Sequence, residues 1–236
     1  MSGSHTLAKE RYLSAALGYM HRMGQVTEPY RHIVQGTEIT VLPQVFSPRY
    51  FTDTDFFASQ VPQIVGRGSF LEVGLGTGVI ALLVALNGAY WVTGTDINPA
   101  AIENTELNFK QHDMKISARL GSVFDPLKRD ESFDFVFWNH PYQFDAEAEN
   151  VLQRSGLDFQ YAGLEDYFRL GKYHLDRGGE LLLGTSNIAR IRVIEGFARK
   201  YGYHRRIVAQ KEATFAKGDK RKIDLRIYSF VPTREV

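Results

Sequence analysis

Ser69-Phe-Leu-Glu-Val-Gly-Leu-Gly-Thr-Gly-Val-Ile80, an apolar run to Leu86, and then Tyr90-Trp-Val-Thr-Gly-Thr-Asp-Ile-Asn-Pro99 together decide the fold of this chain. Phe70, Leu71 and Val73 predict a buried parallel strand. Gly74, Gly76 and Gly78 crowd the turn behind it, where glycine lets a ligand come close to the backbone. Val79 to Leu86 predicts a helix packed on a sheet, ended by Asn87-Gly88. Tyr90 to Thr95 reads as a second strand with Asp96 at its carboxyl end. In a doubly wound sheet ligands bind at that end, and an acidic residue there can hold ribose hydroxyls.

The rest of the chain extends this pattern. Leu7, Leu13, Ala16, Leu17, Met20 and Met23 recur at mostly helical spacing and predict an amphipathic helix ended by Gly24. Tyr30–Val34 and Glu38–Leu42, separated by Gln35-Gly-Thr37, predict a short hairpin. The proline-bracketed segment from Pro43 to Asp55 reads as extended, and Phe56–Val61 as helical. After Asp96, Asn98 is a good N-cap and Pro99 a good first helical residue. Ile116–Leu120 and Ser132–Trp138 are further strands. Gln143 to Gln160 has little periodicity, as in a functional or mobile loop. Leu164–Leu175 predicts a helix, Asp176–Gly179 a turn, Glu180–Gly184 a strand and Ile188–Tyr201 a helix. Tyr203–Ala209 and Ile223–Phe230 are strand candidates joined by a basic loop. Strand–helix alternation followed by two successive strands predicts a doubly wound, mostly parallel α/β sheet that ends in an antiparallel hairpin. Residues 1–64 form a helix and hairpin extension of the same domain, and residues 65–236 its ligand-binding part.

A dinucleotide-binding turn requires G-x-G-x-x-G, and Val79 stands where its third glycine belongs. Glu72-Val-Gly-Leu-Gly-Thr-Gly78 instead resembles the first motif of class I S-adenosylmethionine (SAM) dependent methyltransferases. The resemblance implies a Rossmann-like sheet of seven strands and SAM as cofactor. It places Glu72, Gly74, Gly76, Gly78, Asp96, Ile97 and Asn139 at the cofactor. Gly121-Ser-Val-Phe-Asp-Pro126 resembles the third cofactor motif of the family, with Ser122 where an adenine-binding Asp is usual and Val123 beside it.

Asn139-His140-Pro141-Tyr142, at the end of the fourth sheet strand, resembles the N-P-P-Y signature of amino-group methyltransferases, which include release-factor glutamine and nucleobase N-methyltransferases. The resemblance implies that the Asn139 side-chain oxygen and the next backbone carbonyl accept both hydrogens of a planar NH2 group, with Tyr142 along its plane. Such a nitrogen is a poor nucleophile because its lone pair is delocalised. Two fixed acceptors turn the lone pair toward the methyl group, and positioning of this kind lowers the barrier by several kcal/mol. His140 replaces the first proline of the signature. Three roles follow: its carbonyl alone serves, its imidazole acts as a base, or the ring turns away from the site. Val45-Phe-Ser-Pro-Arg49, with Thr52 and Asp55, resembles the family segment that lines the cofactor and target pocket.

Composition narrows the function classes. The 236 residues carry 28 basic and 27 acidic side chains, a net charge of +1, which marks no nucleic-acid or membrane partner. The absence of cysteine excludes disulfides and thiolate metal sites. The seven histidines show no metal-binding spacing, and no G-x-S-x-G elbow occurs. No apolar run reaches membrane-spanning length, and a cytoplasmic location is the default. Glu147 and Glu149 read as solvated. Lys217, Lys220, Arg221, Lys222 and Arg226 read either as a solvated hairpin loop or as a patch for an anionic substrate such as RNA. The expected acceptor is a nitrogen of a peptide, a protein or a small molecule, with a nucleobase less favoured. The alternative from another class is a SAM-binding partner protein that has lost catalysis.

Overall fold

A computed structural model describes the backbone of residues 2–233 and the side chains of residues 11–233. Helix α1 (Ser2–Gly24) leads into a hairpin of β1 (Tyr30–Val34) and β2 (Thr37–Val41), then α2 (Asp53–Val65). The main sheet comprises β3 (Ser69–Val73), β4 (Trp91–Asp96), β5 (Ser117–Leu120), β6 (Phe133–Asn139), β7 (Leu175–Ser186), β8 (Tyr203–Thr214) and β9 (Lys222–Pro232). Helices α3 (Val79–Leu86), α4 (Pro99–Gln111), α5 (Ala162–Gly171) and α6 (Ile191–Lys200) lie between them. The strand order is β5-β4-β3-β6-β7-β9-β8. All pairs up to β7 are parallel, and β9 pairs antiparallel with β7 and β8. The expected seven-stranded, mostly parallel sheet with an antiparallel end is therefore present.

The order reverses at β3. From it the chain winds outward through β4 and β5, then returns to β6 on the other side. The β3 glycine turn and the end of β6 thus share the switch-point crevice, where α/β sheets bind ligands. All five residues of β3 are buried, as expected for a strand covered on both faces.

The N-terminal elements join the same core. Ala16, Met20, Val34, Ile39 and Phe51 pack in one apolar cluster with Phe70, Phe137 and Leu182 of the sheet. Of the predicted stripe on α1, Ala16, Met20 and Met23 are buried, whereas the Leu7 side chain lies outside the described residues. The hairpin is tied to α4 by two amides one turn apart. Asn104 Oδ1 accepts from Leu42 N and Asn108 Oδ1 from Thr40 N, each at 2.8 Å. Both Nδ2 groups return hydrogen bonds to Thr40 O. These amides are fully buried, and pairing with the hairpin edge satisfies them.

Several boundaries differ from the sequence reading. The extended segment ends earlier, because α2 starts at Asp53. Helix α5 stops at Gly171, and a 3-10 turn covers Lys172–His174. The expected turn at Asp176–Gly179 is a bulge within β7: Phe133 pairs with Leu175, yet Phe135 pairs with Glu180. Helix α6 begins at Ile191, after Ser186–Arg190 have turned the chain off the sheet.

Candidate active site

A cavity of about 600 Å³ opens at the switch point. Glu72, Gly74, Gly76, Asp96, Ile97, Ser122 and Val123 are among the residues that line it. Asn139, His140, Pro141 and Tyr142 line the same cavity.

The glycine turn and the two carboxyls form one unit. Asp96 Oδ2 accepts from Gly76 N at 2.9 Å and Oδ1 from Asn98 N at 2.8 Å. The carboxylate therefore fixes the turn while remaining on the cavity wall. A Cβ at Gly76 would meet nothing within 4 Å, at φ +54°, so this glycine leaves open space beside the wall. Glu72 Oε2 accepts from Ala81 N at 2.8 Å. Burial pushes the Glu72 carboxyl well above the usual carboxylate range, with Asp96 adding to the rise. Burial also raises Asp96, against the backbone hydrogen bonds it accepts. Two buried carboxyls want donors or a positive charge from a ligand, and a pyrophosphate beside them would be repelled. Ribose hydroxyls, an ammonium group and a sulfonium suit these carboxyls, so the residues here fit SAM.

Gly78 is not among the cavity-lining residues. It is the N-cap of α3 at φ +71°, and a Cβ there would lie 2.6 Å from the Thr105 side chain. Its lack of a side chain lets α3 and α4 pack against each other.

Strand β6 ends at Asn139 and delivers it to the cavity wall. Its Nδ2 donates to Asp53 Oδ2 at 3.2 Å, and the Tyr142 hydroxyl lies 3.0 Å from Asn139 Oδ1 and 3.2 Å from Asp53 Oδ2. Thr54 N donates to Asp53 Oδ1 at 2.8 Å. Asp53 is buried, and burial raises its pKa against these hydrogen bonds. Asp53 Oδ2 accepts from the amide nitrogen of Asn139, and Asn139 Oδ1 accepts from the Tyr142 hydroxyl, with a second lone pair on that oxygen remaining for a ligand donor. The backbone past Pro141 is held by the Tyr161 hydroxyl, which donates to Tyr142 O at 2.7 Å and accepts from Arg190 N at 3.1 Å.

The His140 imidazole is buried, with Nε2 2.9 Å from Thr185 Oγ1 of β7. The rings of Tyr142 and Tyr161 stand edge-on to it at 5.6 and 5.3 Å. Burial pushes its pKa down to about 3.

Other expectations sort differently. Phe46 and Pro48 line the cavity, but Arg49 is exposed and stacks on the Tyr30 ring at 3.6 Å. Asp55 faces outward and pairs with Lys217 at 2.9 Å, while Thr52 donates to Thr214 O. Asp53, which the sequence reading passed over between these two, is the one that reaches the site. The 143–160 loop is pinned by a parallel bridge between Gln143 and Leu157. Glu147 is exposed, as expected, yet lies on the cavity lining.

The basic loop is mostly neutralised. Lys217, Arg221, Lys222 and Arg226 pair with Asp55, Asp219, Glu212 and Asp224. Among the described residues, Lys220 alone of the five forms no ion pair. The loop also supports α1: Arg221 Nη1 donates to Arg11 O, and the Tyr12 hydroxyl to Lys222 O. The described residues contain no helix long and apolar enough to cross a membrane and no metal-binding cluster of His, Asp or Glu.

Comparison with known proteins follows the same lines. The family model of the methyltransferase small domain matches residues 36–212. A release factor glutamine methyltransferase of Geobacter sulfurreducens is 27% identical over 209 residues, covering 81% of this chain and 72% of that protein. A ribosomal RNA small subunit methyltransferase C of Haemophilus influenzae is 26% identical over 155 residues, covering 64% of this chain. The match covers only 43% of that protein, so the chain spans less than half its length. Among solved structures, the T. thermophilus 16S rRNA N2 methyltransferase in complex with AdoMet and guanosine superposes with a TM-score of 0.60 at 17% identity. That match covers 88% of this chain and 50% of the other, and at such identity it speaks for the fold.

Proposed function

Because the chain belongs to the methyltransferase small domain family, and is a SAM-dependent methyltransferase, we propose that it methylates the nitrogen of a planar NH2 group on a peptide side chain or a small molecule. The observation that carries this reading is the Asn139 amide, whose nitrogen is engaged by Asp53 so that its oxygen is presented beside Tyr142.

Bound SAM supplies an electrophilic methyl group. Glu72 and Asp96 hold its hydrogen-bond donors at the glycine turn. Asn139 Oδ1 and the His140 carbonyl each accept one hydrogen of the acceptor NH2, which aims the nitrogen lone pair. The nitrogen would gain the methyl group as that group's bond to the sulfonium sulfur breaks, with S-adenosylhomocysteine leaving, and then lose a proton to water, so no strong base is required. The His140 ring, neutral above pH about 3 and bonded to Thr185, is a packed side chain in this scheme. Replacing proline by histidine preserves the carbonyl on which the chemistry depends, which argues against a protein that has lost catalysis.

A relative named for ribosomal RNA favours a nucleobase acceptor. Against that, four of the five basic residues in the 217–226 region are paired with carboxylates. A polynucleotide is held chiefly by free cations on its phosphates. The test is incubation with SAM carrying a CD3 group and an extract of peptides and metabolites, followed by fragmentation of the labelled products. The expected product carries CD3 on nitrogen. A label on oxygen or carbon refutes the reading.

A further inference from the structure

Past Asn139 the cavity changes character. Its outer wall is built by Ala16 and Met20 of α1, Phe46 and Phe51, Leu152 of the long loop, and Phe215 of the β8–β9 connection. Five of these six are at most 6% exposed, and Phe46 is partly buried. Phe46 stacks on Phe51 at 5.4 Å with an interplanar angle of 4°, and Phe215 stands edge-on to Phe51 at 5.4 Å.

Among the described residues, the charged side chains on the cavity lining are either engaged by hydrogen bonds or exposed. Glu72 and Asp96 belong to the glycine turn, and Asp53 is engaged with Asn139 and Thr54. Asp158 caps α5 through Gly163 N and Leu164 N. Glu147 and Arg154 are exposed on the loop. A charged acceptor body would therefore meet no counter-charge in the recess, and burying it there is strongly unfavourable. Val151 and Phe159, 37% and 43% exposed, place apolar side chains on the same lining toward solvent.

Size points the same way. The whole volume is about 600 Å³, within the roughly 300–1,000 Å³ typical of a pocket for one small ligand. Shared with SAM, it leaves space for a ring-sized group. Helix α1 also closes against the loop, with Met20 Cε so near Gly156 that a Cβ there would lie 2.0 Å away.

We propose that the acceptor is a small uncharged molecule in which an apolar ring bears the conjugated NH2, and that this ring occupies the recess between α1, Phe46 and Phe215. The inference rests on the reading of Asn139 as the NH2 acceptor. A glutamine side chain would leave the aromatic wall unfilled, and a nucleotide would bring phosphates to a mouth whose lining, among the described residues, holds one lysine or arginine, Arg154.

The test uses 4-fluorobenzamide and 4-fluoroaniline as probes, followed by fluorine NMR on the full chain saturated with S-adenosylhomocysteine. At least one probe is expected to bind saturably. Phe46→Ser removes apolar contact and should weaken that binding about tenfold, as should Met20→Lys, which puts an ammonium in the recess. A cooperative thermal unfolding transition in either variant establishes that it is folded. Failure of both probes to bind the folded protein overturns the inference, as does binding that neither folded variant weakens. N-methylation of a glutamine peptide that depends on Asn139, with neither probe bound, overturns the inference while the proposed function stands. Recess-dependent probe binding without N-methylation of any acceptor leaves the recess as a ring site but overturns the NH2 assignment, and with it both the Asn139 reading and the inference that rests on it.

Discussion

Asp53→Asn separates positioning from folding. Thr54 N at 2.8 Å requires an oxygen at the Oδ1 position. The new amide must then place its NH2 where Oδ2 stood, facing Asn139 Nδ2 at 3.2 Å. Donor meets donor, so Asn139 flips and presents its own NH2 to the acceptor NH2. One positioned acceptor is lost from the reacting centre, a change that costs about 10²–10³ in kcat, or roughly 2.7–4 kcal/mol, when comparable groups are removed. Stability should move little or rise, because burying the Asp53 carboxylate is itself costly, as its raised pKa indicates. SAM affinity should hold within about threefold, because Asp53 is absent from the Glu72–Asp96 unit. Initial rates of CD3 transfer, calorimetric SAM binding and thermal unfolding read the three quantities. A variant with kcat within about threefold of the original, or one that loses SAM affinity and stability together with rate, refutes the reasoning.

Asp96→Ala should weaken SAM binding by about ten- to over a hundredfold, the worth of a charge-assisted hydrogen bond, by calorimetry; unchanged binding would remove Asp96 from the cofactor site. With His140 at about 3 when folded and 6.5 as its ordinary value, the unfolded chain takes up a proton that the native state refuses. This histidine's contribution to stability is therefore present above pH 6.5 and is lost as pH falls from about 6.5 toward 3, while kcat should show no titration between pH 6 and 8. His140→Pro keeps the carbonyl and should retain most activity; a histidine-dependent limb near neutrality would restore the imidazole as a base. Gly78→Ala should destabilise by roughly 1–3 kcal/mol in denaturant unfolding, from overpacking on Thr105; a loss of SAM affinity at unchanged stability would return Gly78 to the ligand.

Much of the fold was legible because its signals are local. The glycine turn, the apolar run of α3 and the Asn98-Pro99 cap each act within a few residues, and the structure places them at their expected positions. What the sequence concealed depends on partners distant in the chain. Thr52, Asp53 and Asp55 have similar polarity, but residues two apart on a helix face roughly opposite sides. Only the docking of α2 on the sheet decides that Asp53 meets Asn139 and Asp55 meets Lys217. Asn104 and Asn108 looked like ordinary polar positions on α4, whereas their amides serve a hairpin more than 60 residues upstream. The basic loop shows the limit of counting charges, since pairing with carboxylates cancels most of its field. The apolar recess is assembled from α1, the Phe46–Phe51 segment and the β8–β9 connection, and no single stretch of sequence announces it.

The central claim is that Asn139 orients an NH2 nitrogen for methylation, so that its loss costs turnover far more than cofactor affinity. The measurement is the initial rate of CD3 transfer by Asn139→Ala beside the unaltered protein, with SAM affinity of both determined by calorimetry. The account predicts a kcat lower by about 100-fold or more with a far smaller loss of SAM affinity. A fully active Asn139→Ala protein, or one whose rate falls only in step with SAM affinity, would contradict it.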